Sequence, residues 1–134
     1  MVRIRLLGGF AVWVGDREVP ESAWSLRKAR SMVKLLALAP GHAIHREVLC
    51  ETLWPDRDSA AAQNNLHQVL YVARRALEAA GADGQEALGL RDELVALWPE
   101  GSVWVDAERF EATARAARAA HEPAAYREAL ELYG

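Results

Sequence analysis

The sequence has little of what marks secreted, metal-bound or membrane proteins. Cys50 is its only cysteine, so it has neither an internal disulfide framework nor a CxxC metal motif. No apolar run approaches the roughly 18 residues that a membrane span needs. The N-terminal MVRIRLLGGF is too short and too interrupted for a signal peptide. These absences favour a cytosolic protein with no membrane partner, in which Cys50 is a buried apolar residue.

Net positive charge is also absent. The chain carries 16 Lys and Arg against 19 Asp and Glu, a formal charge of −3. Residues 1–98 hold 12 of each sign, while residues 99–134 hold 4 basic and 7 acidic side chains. The acidity therefore belongs to the C-terminal piece, and composition alone does not indicate a nucleic-acid partner.

Motifs for catalysis and cofactor binding are missing as well. The sequence contains no GxSxG, no P-loop and no GxGxxG. His42 and His45 lie three residues apart, but no Cys or carboxylate stands beside them at metal-ligand spacing. We therefore predict that the protein is not an enzyme and that it has neither a cofactor nor a metal site. The carboxylate pairs fall in predicted turns, where capping and solubility explain them better than acid–base catalysis: Asp56 with Asp58, and Asp92 with Glu93.

With 51% hydrophobic residues, the chain can bury a substantial core. The hydrophobic pattern of its first residues predicts strands. Val2, Ile4 and Leu6 alternate with other residues, which predicts an edge strand that ends at Gly8-Gly9. Residues 10–14 and 17–19 are two further short strands, separated by a turn at residues 15–16. Together they predict a small antiparallel sheet or meander.

Two helices follow. Residues 25–39 place apolar side chains at helical spacing until Pro40-Gly41 stops the helix. A short linking strand over residues 42–45 leads to a second helix over residues 46–54, which Pro55 ends.

The longest predicted helix spans residues 58–81 and has two unlike faces. Asp58 or Ser59 can cap its start, and Gly81 suits the left-handed position after its end. Its apolar stripe consists of Leu66, Leu70, Ala73 and Leu77. Its other face carries Asn64, His67, Gln68, Tyr71 and Arg75, with Arg74 at the edge. Amide side chains can read adenine and Arg can hold phosphate or guanine, although an ordinary solvated helix face is the alternative.

The sequence after residue 81 predicts a loop, a β-hairpin and further helices. After a loop over residues 82–86, strands 88–91 and 94–98 flank Asp92-Glu93, a two-residue connection in which neither residue is glycine. A short strand over residues 103–105 follows. Asp106 is the predicted N-cap of a helix to about residue 120, and Pro123 opens another. Because too little chain follows Asp106 for a closed helical domain, we expect a fragment of a longer protein.

This order of elements is typical of an α+β winged helix, and the amino-acid sequences of the helices resemble those of a known family. The segments LRKARSMVKLLALAPG, HREVLCETLWPD and NNLHQVLYVARRAL resemble the OmpR/PhoB-type winged helix-turn-helix of SARP-type transcriptional regulators. VWVDAERFEATARAA and YREALELYG resemble the start of the bacterial transcriptional activation domain that follows it in that family. The resemblance implies a DNA-binding domain over residues 1–99 and the start of an all-α activation domain over residues 103–134.

What the resemblance implies for DNA contacts can be stated position by position. The recognition helix would be residues 59–80 in the major groove, with the wing, residues 88–98, on the adjacent backbone or minor groove. The residues placed toward bases are Asn64, Asn65, His67, Gln68, Tyr71 and Val72. Those placed toward phosphates or on the wing are Arg46, Trp54, Arg74, Arg75 and Arg91.

Val72 departs from the family pattern, which often has a basic residue late in this helix, so guanine readout from that position is in doubt. An alternative for Arg74 and Arg75 is pairing with Glu78. The implied partners are double-stranded promoter DNA with direct repeats, RNA polymerase, and a second copy bound weakly on DNA. The main competing hypothesis is a winged helix that serves as a protein-interaction module. A small hydrolase is the third hypothesis, and no nucleophile–base pair supports it.

Overall fold

A computed structural model describes residues 2–99, 101 and 103–107 of the chain. Its architecture is α+β, as predicted. In this part of the chain, no helix combines the length and apolar character needed to cross a membrane. The predicted helix from residue 106 lies outside the described residues after Ala107, and the helix from Pro123 lies outside them entirely. The division into two domains stays a prediction.

Seven strands and four α-helices are found in the described residues, with two short 3-10 helices at Glu21–Ala23 and Pro40–His42. In chain order they are β1 (Val2–Arg5), β2 (Ala11–Val14), β3 (Arg17–Glu18), α1 (Arg27–Leu38), β4 (Ala43–His45), α2 (Arg46–Leu53), α3 (Ser59–Glu78), α4 (Gly84–Ala87), β5 (Leu88–Arg91), β6 (Leu94–Leu97) and β7 (Val103–Val105).

The first sheet is four-stranded, in the order β3-β2-β1-β7. Ile4 of β1 lies opposite Val12 in an antiparallel pair and opposite Val105 in a parallel pair. The prediction that β1 is an edge strand was therefore wrong, and the sheet is mixed. The alternating apolar pattern of β1 shows which of its faces is buried, but it does not show which distant strand pairs with it. Just beyond β7, the Asp106 carboxylate accepts hydrogen bonds from the backbone N–H groups of Leu6 and Leu7 at 2.9 and 3.1 Å.

The second sheet consists of the C-terminal hairpin and the linking strand, in the order β4-β6-β5. The predicted two-residue connection is confirmed, because Arg91 and Leu94 are paired across it. Asp92 and Glu93 have positive φ values of 51° and 71°, the backbone that this tight connection requires. Non-glycine residues rarely adopt it, so the hairpin tip holds some backbone strain.

Helix α3 is the central element of the core. The Asp58 carboxylate caps it by accepting a hydrogen bond from the Ala61 N–H at 2.8 Å, and Gly81 beyond its end has φ 95°, both as predicted. Because one stripe of α3 is apolar, it packs against α1, α2 and β5. The residues of α3 that this packing buries are Ala62, Leu66, Val69, Leu70, Ala73, Ala76 and Leu77.

The predicted loop over residues 82–86 needs correction, because one turn of helix, α4, forms within and just beyond it. The Asp83 carboxylate accepts hydrogen bonds from the N–H groups of Gln85 and Glu86 at 2.9 and 3.1 Å and so caps this turn. Four residues are too few to show a helical period in sequence. Only the capping aspartate signalled the turn.

Candidate nucleic-acid interface

The outer face of α3, defined as Asn64, His67, Gln68, Tyr71 and Arg75, is exposed along its whole length. Tyr71 is 64% exposed, a large fraction for an aromatic side chain. Within the described residues, the side chains of Asn64, His67, Gln68 and Tyr71 form no hydrogen bond or ion pair. The helix therefore presents amide, imidazole and phenol groups whose hydrogen-bonding capacity is available to a partner.

Two residues predicted to face bases lie off this outer face. Asn65 is half-buried, and Val72 is half-buried against the hydrophobic core. Since their neighbours Leu66 and Ala73 belong to the buried stripe, both positions sit at its margins. Four of the six residues predicted to face bases thus share the outer face with Arg75, and base contacts from Asn65 and Val72 stay a prediction.

The two arginines of α3 differ in their surroundings. Arg74 is half-buried, and its Nε donates a hydrogen bond to the Leu88 carbonyl at 2.8 Å, which ties α3 to β5. Arg75 is 69% exposed, and its Nη1 lies 3.9 Å from Glu78 Oε1. A long, solvated pair of this kind contributes little and leaves Arg75 available to a partner.

Arg46 begins α2 and is held by the tip of the hairpin. Its backbone N–H donates to the Glu93 carbonyl at 2.8 Å, and its guanidinium forms an ion pair with the Glu93 carboxylate. About a third of the Arg46 side chain, 34%, remains exposed. The predicted phosphate-binding cation is therefore shared with an anion of the protein itself.

Trp54 ends α2 and is half-buried against the core. Its backbone N–H donates to the Cys50 carbonyl at 2.8 Å, and Lys28 Nζ donates to the Leu53 carbonyl at 2.6 Å. These bonds satisfy the C-terminal carbonyls of α2 and join α1 to it. Cys50 is buried, as predicted, and burial raises the pKa of its thiol, as expected for a structural cysteine.

Arg91 ends β5 and is exposed beside Asp92 and Glu93. The predicted wing therefore has one cation directly beside the two carboxylates of its tip. Two carboxylates at this position weaken the attraction of the hairpin tip to phosphate groups.

A groove of about 820 Å³ runs between the C-terminal half of α3 and the segment that carries α4 and β5. Its charges are mixed, because Glu78 and Asp83 face the same space as the two arginines of α3. Its main lining residues are His67, Leu70, Tyr71, Arg74, Arg75, Glu78, Asp83, Gln85 and Leu90.

A smaller concavity of about 270 Å³ lies at the other end of the outer face, where Trp54 and Gln68 meet side chains that the sequence did not single out. These are Arg27 and Lys28 at the start of α1 and Arg57 in the turn before α3. The basic residues at the start of α1 and the Arg next to LWPD are visible in the sequence. Their proximity is not, because the three segments are far apart along the chain.

No group of three or more His, Cys, Asp or Glu residues in the described part of the chain is arranged to hold a metal ion. The site consists instead of amides, aromatic rings and arginines.

Comparison with known proteins gives one informative result. No protein-family model matches the chain, and no curated protein matches it in sequence. Among solved structures, the chain is similar to EmbR of Mycobacterium tuberculosis, determined in complex with a low-affinity phosphopeptide, with a TM-score of 0.72 and 22% identity. The match covers 98% of this chain and 35% of the EmbR chain, so this chain spans about a third of that protein. At this identity, the likeness shows a shared fold.

Proposed function

We propose that this chain is a sequence-specific double-stranded DNA-binding domain of a transcriptional regulator. In this proposal, the fold is a winged helix-turn-helix, with α3 as the recognition helix and the β5–β6 hairpin as the wing. The observation that carries the proposal is the outer face of α3. It exposes four polar or aromatic side chains that have no partner among the described residues, where an ordinary solvated face would show Glu and Lys.

The chemistry of this face suits the edges of base pairs. The amides of Asn64 and Gln68 can each pair with the N6 and N7 atoms of adenine, and Arg75 can bind guanine or a phosphate. Tyr71 can donate or accept a hydrogen bond and can pack against a thymine methyl group. Arg46 and Trp54 at the two ends of α2 would hold the backbone and set the register without reading sequence.

Transcriptional regulation is supported by the resemblance of the helices to SARP-type regulators and by the fold shared with EmbR. Under this proposal, residues 103–134 begin an activation domain, and RNA polymerase is the partner through which activation would occur.

The second candidate function is a protein-interaction module built on the same fold. It is favoured by the zero net charge of residues 1–98 and by the two carboxylates at the hairpin tip, which reduce attraction to DNA. The two candidates differ in salt dependence and in sequence preference, both of which can be measured.

Substitution of the outer face tests the proposal. A binding site selected from random duplexes is titrated with the wild-type chain, Gln68→Ala and Tyr71→Ala. Each substitution should weaken specific binding by about 1–3 kcal/mol and leave non-specific binding unchanged, because each removes a base contact.

Gln63→Ala is the matched control, since Gln63 is an amide of the same helix that lies outside the outer face and is half-buried. It should bind as wild type does. If Gln68→Ala and Tyr71→Ala also keep wild-type affinity for the selected site, α3 is not the reading element.

A further inference from the structure

The smaller concavity beside α3, which we name the basic corner, is lined by residues of three segments that converge there. The start of α1, the turn between α2 and α3, and the first half of α3 enclose about 270 Å³. Its lining residues are Leu26, Arg27, Lys28, Trp54, Arg57, Asn65, Gln68 and Val69.

The charge of the basic corner sets it apart. Three cations line it and no Asp or Glu does, whereas Glu78 and Asp83 line the larger groove at the other end of the outer face. Converging cations of one sign in a concave surface raise the local potential and attract an anion. The positive end of the α1 helix dipole, which has no side-chain cap, adds to this potential.

The cations are positioned but not neutralised. Lys28 is fixed by its hydrogen bond to the Leu53 carbonyl, a neutral acceptor. Arg27 and Arg57 are exposed, and neither forms an ion pair within the described residues. The carboxylate of Asp58, which directly follows Arg57 in the chain, instead accepts a hydrogen bond from the Ala61 N–H. Two guanidiniums thus remain able to bind an external oxyanion.

We propose that the basic corner binds a backbone phosphate of DNA, with Arg57 and Arg27 as its cations. This inference rests on the proposed DNA-binding function and adds two contacts that neither the sequence nor the family resemblance assigned. DNA is favoured over other phosphate-bearing partners because Gln68 belongs both to the basic corner and to the outer face of α3. A duplex whose base edge meets Gln68 carries a phosphate close to the same side chain.

Such a contact has a specific signature. Each phosphate neutralised by a protein cation releases counterions, so the slope of log affinity against log salt changes by about 0.9 per contact. Because a phosphate carries no sequence information, loss of the contact weakens all duplexes alike.

The test is a fluorescence-anisotropy titration of the 134-residue chain over a salt series, on the selected site and on random DNA. Arg27→Ala and Arg57→Ala should each lower the magnitude of the salt slope by about one and weaken both duplexes about ten-fold at low salt. Because the two arginines hold the same phosphate, the double variant should lower the slope by about one and no further than either single variant. Arg57→Lys should keep most of the slope, since it keeps the charge.

Arg17→Ala is the matched control, because it removes the same charge from an exposed position in the edge strand β3. An equal fall in slope for Arg17→Ala would reduce the effect to general electrostatics and overturn the inference. Thermal unfolding of every variant, expected to match wild type, separates lost contacts from lost structure.

The remaining outcomes separate the two proposals. If the wild-type chain binds DNA and the double variant keeps its slope and affinity, the inference is overturned and the DNA-binding function stands. If the wild-type chain binds no duplex at any salt concentration, both are overturned. A phosphoserine peptide is titrated in parallel, and binding that depends on Arg57 while DNA binding does not would assign the basic corner to a phosphoprotein instead.

Discussion

Arg46 and Arg74 show how the roles of single residues depend on partners far along the chain. Both were predicted to hold phosphates. In the structure, Arg74 donates a hydrogen bond to the carbonyl of Leu88, and Arg46 pairs with Glu93. These partners lie 14 and 47 positions away, so no local pattern could have indicated them. Arg74 thus has a structural role whatever it binds, while Arg46 keeps a partly exposed guanidinium.

Arg46→Ala should lower affinity for all DNA sequences alike and flatten the salt slope by about one unit, because a phosphate contact carries no sequence information. Arg46→Lys keeps the charge and should retain most of the slope. Parallel salt series on selected and random duplexes measure both quantities. A loss confined to one base position would contradict a positioning role.

At the scale of elements, the sequence predicted helices well and sheet partners poorly. The bounds of α1, α2 and α3 lie within about three residues of the predicted ones, because caps, Pro and Gly stops and helical periodicity are local signals. The internal position of β1 was missed because β7 reaches it from about 100 residues away. Helix α4 was missed because its single turn is too short to carry a pattern.

The hairpin tip offers a test at this scale, because its two carboxylates differ in one respect. Glu93 pairs with Arg46, whereas the adjacent Asp92 forms no ion pair with another residue in the part of the chain that the structure describes. Both Glu93→Gln and Asp92→Asn remove one negative charge, but only Glu93→Gln also frees Arg46 for a phosphate. The affinity of Glu93→Gln for DNA should therefore exceed that of Asp92→Asn by about two- to ten-fold.

The same affinity titration compares the two variants, which lose the same formal charge from neighbouring positions. Equal gains would mean that only long-range repulsion matters and that the ion pair does not restrain Arg46. In the background of Arg46→Ala, the extra gain of Glu93→Gln should vanish.

At the scale of the whole molecule, the zero net charge of residues 1–98 limits non-specific attraction to DNA. One recognition helix reads only a few base pairs, so a single copy should bind a half-site at about micromolar affinity or weaker. On two half-sites spaced by about one helical turn, 10–11 base pairs, two copies should bind cooperatively.

Titrations on single and double sites, with the spacing changed by five base pairs, measure this cooperativity. A half-turn change places the copies on opposite faces of the duplex and should abolish it. Equal affinity at every spacing would mean that the copies do not contact each other.

The candidate site was predictable to the extent that it lies on one helix. The outer face of α3 follows from its 3.6-residue period, and all five of its residues are exposed as predicted. The basic corner was not predictable, because Arg27, Arg57 and Gln68 come from three segments that only the packing of α1 against α2 and α3 brings together.

The most direct test of the central claim, that α3 reads DNA sequence, is one salt series with the wild-type chain on selected and random duplexes. The account predicts that log affinity falls linearly with log salt and that the selected duplex is bound at least about a hundred-fold more tightly than the random one. Absence of binding to either duplex at low salt, or equal affinity for both at every salt concentration, would contradict it.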